Sequence, residues 1–381
     1  GRSRYRGRFD ARLRTYSVHT VSNTMKQKLI FSNLVGEITD GLVAQAGNPR
    51  VIIVVDSNTG KLVLPRLTSS SKSASTADII CIEAGDSNKN LGALTEIWQR
   101  LSDLEATRKD LLINLGGGMV CDIGGFAAAT FKRGMRCINI PTTLLAAVDA
   151  SVGGKTGINF NGLKNQIGTF SEPLAAIIST IYFDTLPEKE LLSGYAEMLK
   201  HGLLQSRETL GRLLATTPEE ISADSSKLLG LLEESVMVKS HIVEQDLNEG
   251  GIRKALNLGH TVGHAFEAYS LRKGKPMPHG YAVARGLVTE LVLSHMTLGF
   301  PSERLHVFAD YIREHYGSYN VTCDDYEALI DDMRQDKKNS SPDEINFTLL
   351  SDIGQPQINM TATPGQIGAA LDIYRDLMHL A

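Results

Sequence analysis

The chain has 381 residues, 42% of them hydrophobic, and a formal charge of −4. That is enough apolar material for a sizeable core and more chain than one typical domain holds, so one enzyme built from two lobes is expected. The mild charge argues against a nucleic-acid partner and no apolar run is long enough to span a bilayer, which leaves a cytoplasmic enzyme acting on a small molecule.

Residues 1–24 differ in kind, with Arg2, Arg4, Arg6, Arg8, Arg12 and Arg14 against a single acid, Asp10. They read as a disordered basic leader outside the fold: a targeting segment, a basic arm, or, the favoured reading, an extension foreign to the natural protein. The remainder then carries a charge of about −9. Cys81, Cys121, Cys137 and Cys323 show no CxxC pairing and are expected as reduced, buried thiols.

From residue 25 to 186 short β-branched runs alternate with helical stretches. VIIVVD (51–56), ADIICIEAG (77–85), DLLINLGGG (110–118) and CINIPTT (137–143) have the rhythm of a parallel sheet. TSSSKSAS (68–75) reads as a loop, and the segment after the second strand has helical period through Leu94, Ile97, Trp98, Leu101 and Leu104. Residues 187–381 change to long amphipathic helices, with one strand candidate, INFTLL, and a last helix from Pro364. The expected architecture is a Rossmann-like α/β lobe followed by a mostly helical lobe.

In LLINLGGGMVCDIGG a buried strand runs into three glycines and a helix, which lets backbone N–H groups approach a pyrophosphate; tight strand-to-helix turns also use glycine for steric reasons alone. Asp56 and Asn58 follow one strand and Thr142 and Thr143 another, where ligands of parallel sheets collect, although an Asx turn and a helix cap account for them equally. DASVGGKTGINFNGLKNQIGTF packs Gly153, Gly154, Lys155, Gly157, Lys164 and Asn165 together and suggests backbone wrapped around an anion. Its GGKT is not a P-loop, because that spacing needs glycine where Asp149 stands.

In the second lobe Glu197, His260, His264 and His279 are suited to a divalent ion. His260 and His264, one helical turn apart, form an HxxxH pair that either binds metal or merely packs a helix start. Arg133, Lys239, Glu249 and Arg253 complete the charged groups that could meet an anionic substrate, and most such residues are solvated surface charges.

The ordered segments GGGMVCDIGGFAAATFKRG, IPTTLLAAVDASVGGKTGIN, LKNQIGTF, DTLP, SGYAEMLKHG, NEGGIRKALNLGHTVGHAFE, HGYAVARG and DKK, across residues 51–340, resemble the 3-dehydroquinate synthase family of sugar-phosphate cyclases. The resemblance implies NAD held by Asp56, Asn58, Asp86, Lys89, Gly117, Gly118, Asp122, Thr142, Thr143, Lys155, Lys164 and Thr185. Asp86 departs from the family's usual Gly-Glu-x-x-Lys, and Cys121 replaces a usual glycine. It further implies one divalent metal, Zn²⁺ or Co²⁺, on Glu197, His260 and His279, with His264 turned to the substrate phosphate and to proton transfer.

The implied reaction converts 3-deoxy-D-arabino-heptulosonate 7-phosphate to 3-dehydroquinate and phosphate, a step toward aromatic amino acids. Transient oxidation by NAD acidifies a neighbouring C–H, phosphate leaves with its own oxygen as base, the hydride returns, and ring opening and an aldol closure follow. Lys155 would centre the proton network and Glu249 orient it; Asp149, Asn165, Lys239, Arg253, Asn257 and His264 would grip the substrate, and Arg133 and Lys337 would reach its phosphate. A homodimer is implied, with Arg133 reaching the partner's site. Another sugar-phosphate cyclase, a glycerol-dehydrogenase-like alcohol dehydrogenase and a catalytically silent binding protein are the alternatives.

Overall fold

The computed structural model describes residues 17–20, 27–223, 225–246, 249–335 and 344–380. These form two compact units: one runs through Thr142 and resumes over Gly154–Ile181, and the other comprises Thr143–Gly153 and the chain from Tyr182 onward. The boundary expected at 186/187 thus lies a few residues late, and the excursion of Thr143–Gly153 was not anticipated. Its physical reason is apolar: Leu144, Ala146, Ala147 and Val148 are buried, and this turn packs against helices of the second unit.

The first unit contains, in chain order, β1 (Ser17–Thr20), β2 (Lys28–Phe31), α1 (Val35–Gln45), β3 (Val51–Asp56), α2 (Thr59–Leu62), α3 (Leu64–Ser70), α4 (Lys72–Ser75), β4 (Asp78–Ile82) and α5 (Leu91–Asp103). It continues with β5 (Leu111–Gly116), α6 (Gly118–Thr130), β6 (Arg136–Pro141), β7 (Lys155–Phe160), β8 (Leu163–Phe170) and β9 (Ala175–Ile178). Its sheet has the order β1-β2-β9-β6-β5-β3-β4, parallel except for the β1–β2 pair. Every residue of β3 and β5 is buried, as the unbroken apolar runs require of strands covered on both faces. Leu94, Ile97 and Leu101 of α5 and Val120, Ile123 and Ala127 of α6 pack with Ile52, Val54 and Leu112 in one core.

Three expectations need correction here. Ser17–Thr20 lies inside the supposed leader yet pairs with β2, Ser17 opposite Phe31, because an alternating Ser-Val-His-Thr run can extend the sheet edge; the rest of residues 1–24 lies outside the described residues. The Ser-rich stretch 68–75 is helical, since Asp40 accepts bonds from the Ser71 hydroxyl and from the amides of Lys72 and Ser73, and Ser71 caps α4. Finally, the glycine- and lysine-rich stretch is a β-hairpin: Asn161 and Gly162 turn it with φ of 51° and 75°, and Gly157 faces Gly168 across the strands. A side chain on Gly168 would lie 1.9 Å from the Thr156 carbonyl oxygen, so that glycine serves strand approach. All four cysteines are free, but only Cys121 and Cys137 are buried.

The second unit contains α7 (Glu188–Gln205), α8 (Arg207–Leu214), α9 (Pro218–Ala223), α10 (Ser225–Gln245), α11 (His260–Arg272), α12 (His279–Leu298), α13 (Ser302–Tyr316), α14 (Tyr326–Arg334), the antiparallel hairpin β10 (Ile345–Asp352) and β11 (Gln355–Ala362), and α15 (Pro364–Leu377). The last helix starts where expected, with Thr363 and Gln366 forming a capping box around Pro364. No described helix is long and apolar enough to cross a membrane.

Helices α7 and α12 are buried along most of their length and form the centre of this unit. Glycines bring its helices to backbone contact. A Cβ on Gly280 would sit 1.9 Å from the Ser193 carbonyl oxygen of α7, and one on Gly286 would sit 2.2 Å from the Gly259 oxygen at the start of α11. Gly286→Ala should therefore lower stability by about 1–3 kcal/mol or more, since rigid backbone must move. Gly368→Ala, in α15 with nothing within 4 Å of the new methyl, should raise stability by up to about 1 kcal/mol through helix propensity. Thermal and urea melts of the two variants check both signs.

Candidate active site

Glu197 lies mid-way along α7 and is completely buried, whereas His260 and His279 are the first residues of α11 and α12. The close approach of these helices brings one ligand atom from each residue within 4.8 Å of the others. The Nε2 atoms of His260 and His279 each stand 3.4 Å from Glu197 Oε1. Their other nitrogens are engaged: His260 Nδ1 is 3.0 Å from the Leu258 carbonyl oxygen, and His279 Nδ1 is 3.1 Å from Glu267 Oε2. Both acceptors draw a ring proton to Nδ1, which leaves both Nε2 atoms facing the Glu197 carboxylate, where a metal ion or a proton can sit between them.

Such a convergence of electron pairs is unfavourable unless a cation joins it. Neither Glu197 oxygen receives a well-aligned hydrogen bond. The buried Lys200 ammonium, one turn along α7, lies 2.5 Å from Oε2 but leaves Oε1 to the two imidazoles. Burial works against charge on His279, yet Glu197 and Glu267 on either side push it up to about 10, while burial lowers His260. The cluster thus attracts positive charge, and one carboxylate with two imidazoles is the donor set of a divalent transition ion with open coordination positions. His264, the other half of the HxxxH pair, is exposed and falls outside this group; its ring stands edge-on to His260 at 5.3 Å and lies 5.9 Å from that of His279.

Charged side chains of the same unit extend the site chemistry. Asp149 occupies a π-helical turn, Ala146–Ala150, and both its Oδ1 and its carbonyl oxygen accept from the Lys239 ammonium at 2.5 Å. Arg253 is buried beside Gly153, whose φ of 95° and whose 2.9 Å clearance from the guanidinium both favour glycine. Its loop is tied down by Asp246, which accepts the amides of Gly250, Gly251 and Arg253. Glu249, in left-handed conformation at φ 61°, begins that loop, and Asn257 ends the 3₁₀ turn Ile252–Asn257. Lys337 lies outside the described residues.

The first unit gathers most of the residues assigned to a nucleotide. Counting its parallel strands from β3, the sheet runs 2-1-3-4-5, and the switch point falls between β3 and β5. Asp56 ends β3 and Asn58 follows it; Gly117, Gly118 and Asp122 follow β5 and open α6; Thr142 follows β6. Asp56 Oδ1 accepts the amides of Asn58 and Thr59, the Asx turn that the sequence left open, and Thr143 Oγ1 accepts the Ala146 amide as a helix cap. The buried Lys89 ammonium joins Asp122 at 2.5 Å and Asn165 Oδ1 at 2.6 Å, so Asn165 is held beside two of the cofactor candidates. Asp86 and Lys164 form an exposed pair at 3.7 Å. Lys155 begins β7 and is exposed, as is Arg133 after α6. Thr185 donates to the Tyr182 carbonyl in the second unit.

Sequence reasoning missed Lys200 and Glu267. Both carried a signal: Lys200 is three residues from Glu197 on one helix, and Glu267 is seven from His260, so each shares a helix face with a candidate ligand.

Among solved structures, 2-deoxy-scyllo-inosose synthase complexed with carbaglucose-6-phosphate, NAD⁺ and Co²⁺ matches with a TM-score of 0.78, covering 94% of this chain and 99% of that one at 20% identity. An iron-containing alcohol dehydrogenase from Thermotoga maritima matches at 0.62, with 93% and 99% covered at 16% identity. These place the fold in a class that cyclases and alcohol dehydrogenases share. Family models narrow it: the 3-dehydroquinate synthase N-terminal model matches residues 79–193 and the C-terminal model residues 194–339. The 3-dehydroquinate synthase of Parabacteroides distasonis is 47% identical over 352 residues, 92% of this chain and 98% of its own length. The chain belongs to the 3-dehydroquinate synthase family.

The Asp149–Lys239 pair gives a pH test. Burial acts to raise the Asp149 carboxyl, but the Lys239 ammonium overcomes it and holds the carboxyl well below the usual range. A carboxyl lowered on folding contributes stability above its unfolded value of about 3.9, and that contribution disappears as pH falls through the folded value. Carbon-13 titration of Asp149 should show it ionised below pH ~3.9, and Lys239→Met should move its midpoint upward. An unperturbed Asp149 in the native protein contradicts this pairing.

Proposed function

We propose that the chain converts 3-deoxy-D-arabino-heptulosonate 7-phosphate to 3-dehydroquinate and phosphate, using NAD and one divalent metal, Zn²⁺ or Co²⁺. Family membership supplies the reaction, and the observation that carries the site is the convergence of His260 and His279 on the buried carboxylate of Glu197. That geometry supports these three as the metal ligands. When bound, the metal supplies electrostatic stabilisation of substrate oxygens, and NAD supplies a reversible hydride acceptor.

The chain's own groups have separable tasks. Glu267 and the Leu258 carbonyl hold the two imidazoles with Nε2 free. Asp149 and Lys239 present a fixed ion pair, Arg253 a buried guanidinium and His264 an exposed imidazole, which together suit a substrate with hydroxyls, a carboxylate and a phosphate. Lys155 moves a proton in the reaction, oriented by Glu249; Asn257 and Asn165 bind substrate, and Arg133 and Lys337 reach its phosphate. For NAD, we assign Asp56 and Asn58 with Asp86 and Lys89 to the adenosine end, and Gly117, Gly118 and Asp122 to the pyrophosphate and ribose. Thr142, Thr143, Lys155, Lys164 and Thr185 complete the set. The switch point between β3 and β5 and the start of α6 support that assignment. The protein works as a homodimer in the cytoplasm.

Product analysis by NMR with this substrate tests the reaction, and two variants test the roles. His260→Ala should lose metal content and carbocycle formation together, and full metal content in that variant would remove the ligand assignment. Lys155→Ala should keep its fold and metal but lose at least ~100-fold in turnover, as removal of a proton-transfer group does; turnover like that of the native chain would contradict its role.

A further inference from the structure

Helix α11 starts without a cap of its own. Its N-cap is Gly259, left-handed at φ 79°, and a side chain there would lie 2.6 Å from Cγ and Cδ2 of Leu287. Glycine is therefore required, and glycine offers no oxygen to the orphan amides of the first turn. The oxygens arrive from another helix. Glu290 of α12, fully buried, accepts the Gly259 amide through Oε2 at 2.6 Å and the Val262 amide through Oε1 at 3.0 Å. These are the N-cap and N3 amides, the two that a capping box satisfies from within one helix. Here the box is closed by the neighbouring helix, the one that begins with His279.

The clamped turn contains His260 and adjoins the Leu258 carbonyl that accepts from its ring. We propose that Glu290 is a positioning residue of the metal centre: by pinning the amides of Gly259 and Val262 it fixes the Leu258–His260 turn, and with it the tautomer and aim of the His260 ring. The inference rests on His260 being a metal ligand. An imidazole donating from Nδ1 to a carbonyl keeps its lone pair on Nε2, and a turn free to shift would let the ring rotate or change tautomer. A residue that only stabilised the fold would leave the ion's affinity untouched; one acting through His260 sets it.

Glu290→Gln keeps the shape but turns an amide nitrogen toward one of the two N–H groups. With the full chain and Zn²⁺ competed against a chelator, this variant should bind about 10- to 100-fold more weakly. Its Co²⁺-loaded form should show a shifted visible spectrum. Thr289→Val serves as the control, because that buried hydroxyl bonds only within its own helix, to the Arg285 carbonyl, and it should retain native Zn²⁺ affinity. Native affinity in Glu290→Gln, or an equal loss in Thr289→Val, overturns the proposal. A native chain that binds no Zn²⁺ overturns the ligand assignment instead. Should Glu290→Gln fail to fold, the native chain decides: in metal-free protein with labelled histidine, His260 protonated at Nδ1 and slow exchange of the Gly259 and Val262 amides support the proposal. An Nε2–H tautomer or rapid exchange refutes it.

Discussion

A carboxylate with no exposed surface, faced by two imidazole nitrogens at 3.4 Å, is the interaction on which the second unit depends. Burying Glu197 beside lone pairs is costly by itself, and leaving one partner of such a buried charge set unpaired typically costs about 3–5 kcal/mol. Lys200 neutralises one oxygen; the other faces the two imidazoles and would share a cation with them. The helices can hold this arrangement only because they touch through glycine. Gly280 lets the start of α12 meet α7, and Gly286 lets α12 meet the start of α11, so the two histidines that begin these helices are brought to Glu197. Glu290 and Glu267 then fix what the glycines bring together, one through backbone amides and one through a ring nitrogen.

The first unit solves a different problem with the same economy of space. Strand β5 ends in a glycine turn at the point where strand order reverses, so backbone donors and Asp56 gather at the carboxyl ends of the central strands β3 and β5. The glycines there are not left-handed: Gly116 is required because a side chain would lie 2.5 Å from Val120, which keeps α6 close to β5. Steric packing and ligand approach therefore demand the same residues. This is why a glycine-rich strand-to-helix turn could not, by itself, separate the two readings.

How much was legible follows from which forces act locally. The buried strands β3, β5 and β6 could be read because a parallel sheet writes continuous apolar runs, and α5 because Leu94, Ile97 and Leu101 recur at helical period. The β7–β8 hairpin is masked in the sequence although Asn161-Gly162 is a strong turn signal, because Lys155, Gly157, Lys164 and Gly168 break the period-two apolar pattern of its strands. Strand β11 was missed: its burial alternates along QPQINMTA, but the sequence is polar enough to pass for loop, and Gly354 at φ 77° marks the turn. Helix α4 starts on Asp40, some thirty residues away, which no local pattern reveals. The ligand set was ambiguous in sequence for a related reason. HxxxH spacing allows His264 to join His260, and only the arrival of α12 and α7 brings His279 and Glu197 to the same point. Glu290 was invisible for the same cause, since it serves a helix thirty residues earlier through backbone amides.

The central claim is that metal and NAD serve a cycle with no net redox change, on a fold that alcohol dehydrogenases share. It is tested most directly by following phosphate release from 3-deoxy-D-arabino-heptulosonate 7-phosphate with NAD far below the substrate concentration, with and without a chelator, while recording NADH absorbance. Many phosphates released per NAD, loss of release with the chelator and no accumulation of NADH are predicted. Stoichiometric NADH without phosphate release would identify a dehydrogenase and contradict the account.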